Sequence, residues 1–441
     1  MKPHLTGWGG LGVPGVERRS EDLERLTRDA VLSRGLGRAY GDAALPPPGV
    51  ESVAGTSLAD RILSFHPATG QLRAEAGISL RSLKEVLLPR GFFVPVTPGT
   101  QYVTLGGAVA ADVHGKNHHV AGTIGRHVSA LKMRVASGDV VEVSRTEHPD
   151  LFEATLGGMG LTGHILEVDL RLDDVGSGWI RQESERVDSV DAFLDALDSA
   201  AAHWPFTVGW IDCLATGANL GRGILIKGRW AAPEDAEGRP GPRTERIGVP
   251  FLFPSWALND LTVSAFNHAY YWKHLPRQMT GIVHPEPFFY PLDGIRNWNR
   301  IYGRRGFTQH QSILPREAGR DAVHAYVKLL ASKGGSSFLC VIKDCGAEGE
   351  GLLSFPRPGT SVALDLPIRP ETQDLIDTLN AFVIDVGGRV YLAKDQFTRP
   401  RDYRRMEPRL ATFQEVRRRW DPAGRIRSAL SNRLELDEET R

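Results

Sequence analysis

Cysteine is scarce in this chain: three in 441 residues, Cys213, Cys340 and Cys345. An odd and sparse set excludes a disulfide framework, and no CxxC pair or Cys/His cluster has zinc-site spacing, so three free thiols are expected. Excess charge is lacking too. The 53 Lys and Arg residues balance 53 Asp and Glu residues, which removes the basic footprint of a nucleic-acid partner. No stretch approaches the ~18 consecutive apolar residues of a membrane-spanning helix. Met1 to Gly15 holds Trp8 and several glycines but no apolar run, so no secretory signal is read there. The expectation is a cytoplasmic chain, soluble or peripherally attached to a membrane. Two nucleotide fingerprints are also missing. There is no GxxxxGK[ST], and no GxGxxG at a strand–helix junction with an acidic residue ~20 positions on, which argues against a P-loop NTPase and a Rossmann enzyme.

What the chain has in quantity is glycine, 48 residues, concentrated beside small polar residues in three segments. They are Arg34-Gly35-Leu36-Gly37-Arg38-Ala39-Tyr40-Gly41-Asp42, then Pro98-Gly99-Thr100 with Thr104 to Gly115, then Gly157 to Gly163. Glycine lets a backbone approach a ligand closely and turn N–H groups toward phosphate oxygens. Each segment alone reads as an ordinary turn. Three of them between Arg34 and Gly163 point to one extended, phosphate-bearing cofactor laid across several turns.

Periodicity supplies the frame. A helix is expected over Glu21 to Ala30, a short strand at Val31 to Ser33, a strand at Leu72 to Ala76 and a helix at Leu80 to Leu88 with Leu80, Leu83 and Val86 to Leu88 on one face. A hairpin turns at Ser137-Gly138-Asp139, a short element spans Glu153 to Leu161, and Ile165 to Leu172 alternates as a strand. Val175-Gly176-Ser177-Gly178 reads as a boundary. Beyond it, strands at Gly223 to Lys227, Gln309 to Leu314, Ser337 to Ile342 and Ser361 to Leu366 alternate with helices at Gly319 to Ala331 and Thr372 to Val386. That order predicts an α+β domain with a largely antiparallel sheet. Pro233 to Pro250 reads as an excursion loop. The aromatic stretch Phe251 to Trp272 reads as core first and as a lipid contact second.

The order RGLGRAYGD, PGT…TLGGAVAADVHGKNHH and GGMGLTG resembles the FAD-binding domain of the vanillyl-alcohol-oxidase/p-cresol-methylhydroxylase flavoprotein superfamily. Within it the chain resembles the decaprenylphosphoryl-ribose 2′-oxidase branch over nearly its whole length, through LTGWGG (Leu5 to Gly10), FYPLDGIRNWNRIYGRRGFTQHQSILP, LSFPRPG, GGRVYLAKD and the DPAGRIRSALSNRLEL tail. HGKNHH and the later Tyr391-Leu392-Ala393-Lys394-Asp395 are the specific part; the glycine loops mark only the superfamily. The resemblance implies a two-lobed FAD domain over 1–174, a substrate domain over 175–387, and a segment 388–441 that completes the first.

It also implies roles. Cofactor contacts fall to Arg34, Gly35, Leu36, Gly37, Arg38, Ala39, Tyr40, Gly41, Asp42, Gly99, Thr100, Thr104, Leu105, Gly106, Gly107, Ala111, Asp112, Val113, His114, Gly115, Asn117, Gly160, His164, Ile165 and Tyr391. The backbone amides of Arg34 to Asp42 and of Thr104 to Gly107 are expected to hold the pyrophosphate. Tyr40 stands near where many superfamily members carry a flavin-linking histidine, so non-covalent FAD is expected. Lys394, His114, Gln311 and Tyr40 are the expected catalytic residues. Lys116, Gln309, Lys343 and Ser361 are expected to hold substrate, with Gln309 and Gln311 on one strand face. A metal at HGKNHH is the rival reading, disfavoured because no carboxylate or cysteine completes a ligand set.

The implied reaction is oxidation of the 2-hydroxyl of a polyprenylphosphoryl pentose to a 2-keto sugar, the first half of a 2′-epimerisation in arabinan precursor synthesis for the cell wall. A separate NADH-dependent short-chain reductase would finish it, and a quinone or dioxygen would reoxidise the flavin. An alditol or aldonolactone oxidase acting on a small free polyol is the alternative. The chain departs from the branch at Ala363, where a cysteine is usual and covalent inhibitors attack, and at Ser361, where asparagine is usual.

Overall fold

The computed structural model describes residues 4–239, 247–254, 256–333 and 337–437. Three strands near the N-terminus, β1 (Val16–Arg19), β2 (Ser33–Arg34) and β3 (Ser52–Gly55), form a small parallel sheet in the order β1-β3-β2. A five-stranded antiparallel sheet follows from β4 (Ile62–His66), β5 (Gln71–Glu75), β6 (Val128–Arg134), β7 (Val140–Ser144) and β8 (His164–Arg171), ordered β7-β6-β8-β5-β4. The β6–β7 hairpin closes where expected, with Gly138 at φ 99° and Val135 N–H donating to Asp139 O at 3.0 Å.

Helix α1 (Leu80–Leu87) starts at Ser79, whose hydroxyl accepts from Ser82 N–H at 2.9 Å. Leu80, Leu83 and Leu87 are buried, each contributing ~1.5–3 kcal/mol. Val86, expected on that face, is exposed instead; the buried side turns toward Lys84, which pairs with Glu286 at 2.9 Å. Helices α2 (Leu105–Ala110) and α3 (Pro149–Thr155) complete this half.

Two local expectations fail here. The helix over Glu21 to Ala30 is a single turn, Leu23–Leu26. Arg134 takes the Glu24 carbonyl at 2.7 Å and Thr27 Oγ1 at 3.1 Å, removing the acceptor that the next helical N–H would use. The strand at Val31 to Ser33 is displaced to Ser33–Arg34 because its partner, β3, ends at Gly55 opposite Arg34.

The second sheet has eight strands, all antiparallel: β9 (Ile180–Val187), β10 (Phe206–Ile211), β11 (Gly223–Trp230), β12 (Gln278–Val283), β13 (Phe307–Pro315), β14 (Cys340–Cys345), β15 (Gly359–Pro367) and β16 (Arg389–Val390), in the order β12-β9-β11-β10-β14-β15-β13-β16. Helices α4 (Val190–Ala201), α6 (Gly319–Lys333) and α7 (Thr372–Asp385) cover one face through Phe193, Leu197, Tyr326, Leu330, Leu379 and Val383. Helix α5 (Asp260–Trp272) belongs to the insertion between β11 and β12. Residues 240–246 of the expected excursion loop lie outside the described residues. The fold is α+β with a largely antiparallel sheet. Near the C-terminus, α8 (Leu410–Trp420) returns to pack Phe413 and Val416 with Ala154 and Leu161 of the first half.

All nine residues of β13 are buried, because both its faces are covered. His310 and Ser312 turn toward α6 and α7, where Tyr326 OH meets His310 Nδ1 at 3.0 Å and Asn380 Oδ1 meets His310 Nε2 at 2.9 Å. Gln309 and Gln311 take the opposite face and line a cavity.

Candidate active site

That cavity has a volume of about 880 Å³, within the range of small-molecule sites. Its inner end is built by the glycine segments. The amides of Gly35, Leu36, Gly37, Arg38 and Ala39 donate no hydrogen bond among the described residues, nor do those of Gly99 and Thr100, and all seven residues line the cavity. A run of unspent N–H groups on a concave wall is an anion cradle. The Arg38 guanidinium beside it lies over Trp8, 4.0 Å from the ring centre. These features fit a long diphosphate-bearing ligand.

The expected second set of amides is corrected by the structure. Leu105 N–H is given to Ile78 O and Gly106 N–H to Ala76 O, both at 2.8 Å, and Gly107 N–H to Thr104 Oγ1 at 3.2 Å. These bonds start α2 and fasten it to the sheet, so this segment offers the cavity a close-fitting surface and few donors. Thr104, Gly106, Gly107, Ala111, Val113, His114, Gly115, Gly160, Ile165 and Tyr391 line the wall.

Seven expected contacts stand behind it. Arg34 donates to Ala44 O and Thr6 O. Asn117 donates to Pro95 O, His164 is held by Ser33 and Ala30 O, and Leu105 is core. Asp112, in the left-handed region at φ 39°, accepts from Gly125 N–H and the Ser354 hydroxyl, and burial lifts its carboxyl to about 6. Gly41 and Asp42 belong to a clamp described below. They brace the wall because a Gly-rich loop that leaves its amides free must be fixed from behind.

The reactive groups line the same cavity, beginning at Tyr40, the residue that follows the cradle. Lys394 Nζ lies over the Tyr40 ring, 3.9 Å from its centre. The Gln311 amide meets His114 Nε2 at 2.9 Å and Ser361 Oγ at 3.3 Å, leaving His114 Nδ1 buried and without a partner. Tyr391 packs 5.1 Å from His114, centre to centre, and donates to Ala111 O at 2.9 Å. Lys116 donates to Phe289 O at 3.1 Å, and Lys343 lines the same cavity. Ser361, expected to touch substrate, does not line the cavity but orients Gln311. Ala363, paired opposite Gln311, does line it.

Burial dominates the electrostatics. It pulls the Lys394 ammonium down to about 8, against the opposing charge of Asp365 and with help from Lys343. It pulls Lys116 down to about 7, again with Lys343, and lowers Lys343 itself. His114 is held well below its ordinary value by burial, then by Lys343, His118 and Lys394, and is a neutral imidazole. Burial raises the Tyr40 phenol well above its usual range, so it stays protonated.

Two further residues were missed at the sequence level. Asp365 is fully buried behind Gln309, accepts from the Gln309 amide and from Tyr302 OH, and is lifted by burial to about 6. The signal for it was a carboxylate in the apolar strand SVALDLP, paired directly across from Gln309. Arg433 pairs with Asp42 at 2.7 Å and Asp395 at 2.9 Å. No local pattern marks it, since its partners are 391 and 38 positions away.

The FAD binding domain family matches residues 25–144. Decaprenylphosphoryl-β-D-ribose oxidase of Mycolicibacterium smegmatis is 34% identical to this chain, over 98% of this chain and 97% of the relative. An uncharacterized protein of Streptomyces coelicolor is 34% identical over 81% of this chain and all of its own length. L-gulonolactone oxidase of Mus musculus is 32% identical over only 25% of this chain and 25% of its own length.

Proposed function

The chain belongs to the decaprenylphosphoryl-β-D-ribose oxidase family of FAD-dependent oxidoreductases, and from that membership we propose that it oxidises the 2-hydroxyl of a polyprenylphosphoryl pentose to a ketone. The observation that carries the reading is the convergence of Lys394, Tyr40, Gln311 and His114 on the one cavity that the amide cradle also lines. When bound, FAD supplies the acceptor for the hydride that leaves C2. The amides of Gly35 to Ala39 with Gly99 and Thr100 would hold its diphosphate, and Tyr391 and His114 would contact it from the cavity wall. The attachment is non-covalent in this reading, since the Tyr40 phenol is a poor partner for a flavin bond.

The chain's own work is orientation and proton handling. The Lys394 ammonium, low in its titration range, hydrogen-bonds the reacting oxygen and stabilises the negative charge that grows there. The Gln311 amide nitrogen donates to His114 Nε2, so the neutral ring carries its hydrogen on Nδ1; His114 orients the hydroxyl, and the proton leaves to water or another base. Gln311 holds that imidazole and Gln309 holds Asp365. Lys116 and Lys343 face the anionic phosphodiester. In this organisation 1–174 forms the FAD domain, 175–387 the substrate domain, and 388–441 brings Lys394 back to the first.

A separate NADH-dependent reductase completes the epimerisation by reducing the ketone, and a quinone or dioxygen accepts the electrons. No described helix is long and apolar enough to cross a membrane, so a bilayer-resident substrate is met at a membrane surface. Lactone oxidases such as those of Neurospora crassa and Mus musculus match a quarter to a third of the chain, which supports the alternative less. Anaerobic mixing of the yellow protein with a polyprenylphosphoryl pentose tests the proposal. Bleaching of the flavin bands is expected, and bleaching by free polyols or aldonolactones alone overturns it.

A further inference from the structure

Exposed apolar side chains are unevenly distributed here. Among the described residues seventeen large ones are exposed, and ten of them fall between residues 247 and 295. Ile247, Leu261, Leu275 and Trp256 are 82, 79, 78 and 76% exposed, and Phe251 is 63% exposed. Such a concentration marks contact with another molecule or with lipid.

The same stretch builds the outer wall of the cavity. Phe253, Leu258, Val263, Phe266 and Tyr270 line it from within. Helix α5 is therefore apolar both toward the cavity, through Val263 and Phe266, and toward solvent, through Leu261 and Trp272. The cavity runs from the Lys394 wall to an apolar rim that continues onto the surface.

Charge follows the same pattern. Residues 247–305 hold six basic side chains against three acidic ones in a chain of zero net charge. Lys273, Arg277, Arg296, Arg304 and Arg305 are exposed, with Arg277 sharing its charge with Asp188 at 3.1 Å. Strand pairing sets Arg296 beside Gly248, and Arg305 shares a smaller cavity with Pro254 and Leu258. Apolar and aromatic side chains interleaved with cations are the signature of an interfacial surface on anionic lipid. A second copy of the chain would bring these cations against one another.

We infer that residues 247–277, with the ribbon at Ile295–Arg296, dock this protein on an anionic bilayer so that the cavity rim meets the lipid and a polyprenyl tail reaches the site without entering water. The inference rests on the polyprenylphosphoryl reading above and adds its partner surface. Every methylene of such a tail drawn into water carries an unfavourable transfer free energy, which a rim seated in the headgroup layer avoids.

The test is flotation of the FAD-loaded protein with phosphatidylglycerol/phosphatidylcholine vesicles, beside a triple variant Trp256→Ser, Leu261→Gln, Leu275→Gln. None of these three side chains lines the cavity, and their exposure leaves little packing to lose. The wild type is expected to float with anionic vesicles, less so at high salt, and the variant to lose roughly tenfold in partitioning. The variant should keep its flavin absorbance and its turnover of a short-chain, water-soluble polyprenylphosphoryl pentose, and lose turnover of the long-chain substrate in vesicles. Equal flotation of the two proteins, absence of wild-type flotation, or a wild-type dimer that the variant converts to monomer overturns the inference. Flotation with no turnover of either substrate overturns the functional reading and leaves the surface standing.

Discussion

Lys394 Nζ sits 3.9 Å from the centre of the Tyr40 ring, and one distant guanidinium fixes both residues. Arg433 pairs with Asp42, two positions after Tyr40, and with Asp395, the neighbour of Lys394. Tyr40 N–H also donates to Ala393 O at 3.0 Å. The RGLGRAYGD and YLAKD loops are therefore a single unit.

Arg433→Ala leaves two buried carboxylates without their cation and should destabilise the protein by roughly 3–5 kcal/mol. Burial alone would raise the Asp395 carboxyl, but Arg433 and Thr398 hold it below its ordinary value. That stability is present above the unfolded carboxylate range and is lost as pH falls through the folded value. The variant should therefore lose most of its advantage at neutral pH and little in acid, and Arg433→Lys should recover part of it. Thermal unfolding followed from neutral to acidic pH checks this.

Flavin reduction should require the Lys394 ammonium and decline as pH rises through about 8. Asp365 raises that value, so Asp365→Asn should move the decline to lower pH while FAD remains bound. Lys116, at about 7, affects substrate affinity and should move KM more than kcat. Lys394→Met should slow anaerobic reduction by about a hundredfold or more. A pH profile unmoved by Asp365→Asn would remove Asp365 from the account.

A Cβ at Gly41 would stand 2.1 Å from Asp395 O, a clash between two backbone segments. Gly41→Ala should cost about 1–3 kcal/mol and push the Lys394 loop away from Tyr40. Its reduction rate should fall more than its FAD content, measured by stopped-flow against flavin absorbance.

Ala363 lies opposite Gln311 in the cavity wall, and the three native thiols are buried, with Cys345 pushed up to about 12. The native protein should resist thiol-directed electrophiles. Ala363→Cys should gain one labelled site, found by intact-mass spectrometry and protected by substrate.

Sequence alone determined the kinds of element and most of their order, because alternation in β8 and leucine spacing in α1 are local properties of the chain. The resemblance carried by the glycine loop, HGKNHH and YLAKD pointed to His114 and Lys394, and the fold brings both to one cavity. Tertiary contacts decided the rest. Arg134 stopped a helix at one turn by taking its carbonyl, and Ile78 and Ala76 consumed amides that Thr104 to Gly107 were expected to offer. Arg433 and Asp365 acquired their places only when strands and loops far apart in the chain met. The physical reason is the same in each case: hydrogen bonds and ion pairs are short-ranged, so which donor is spent and which carboxylate faces a lysine depend on neighbours that a linear pattern does not bring together.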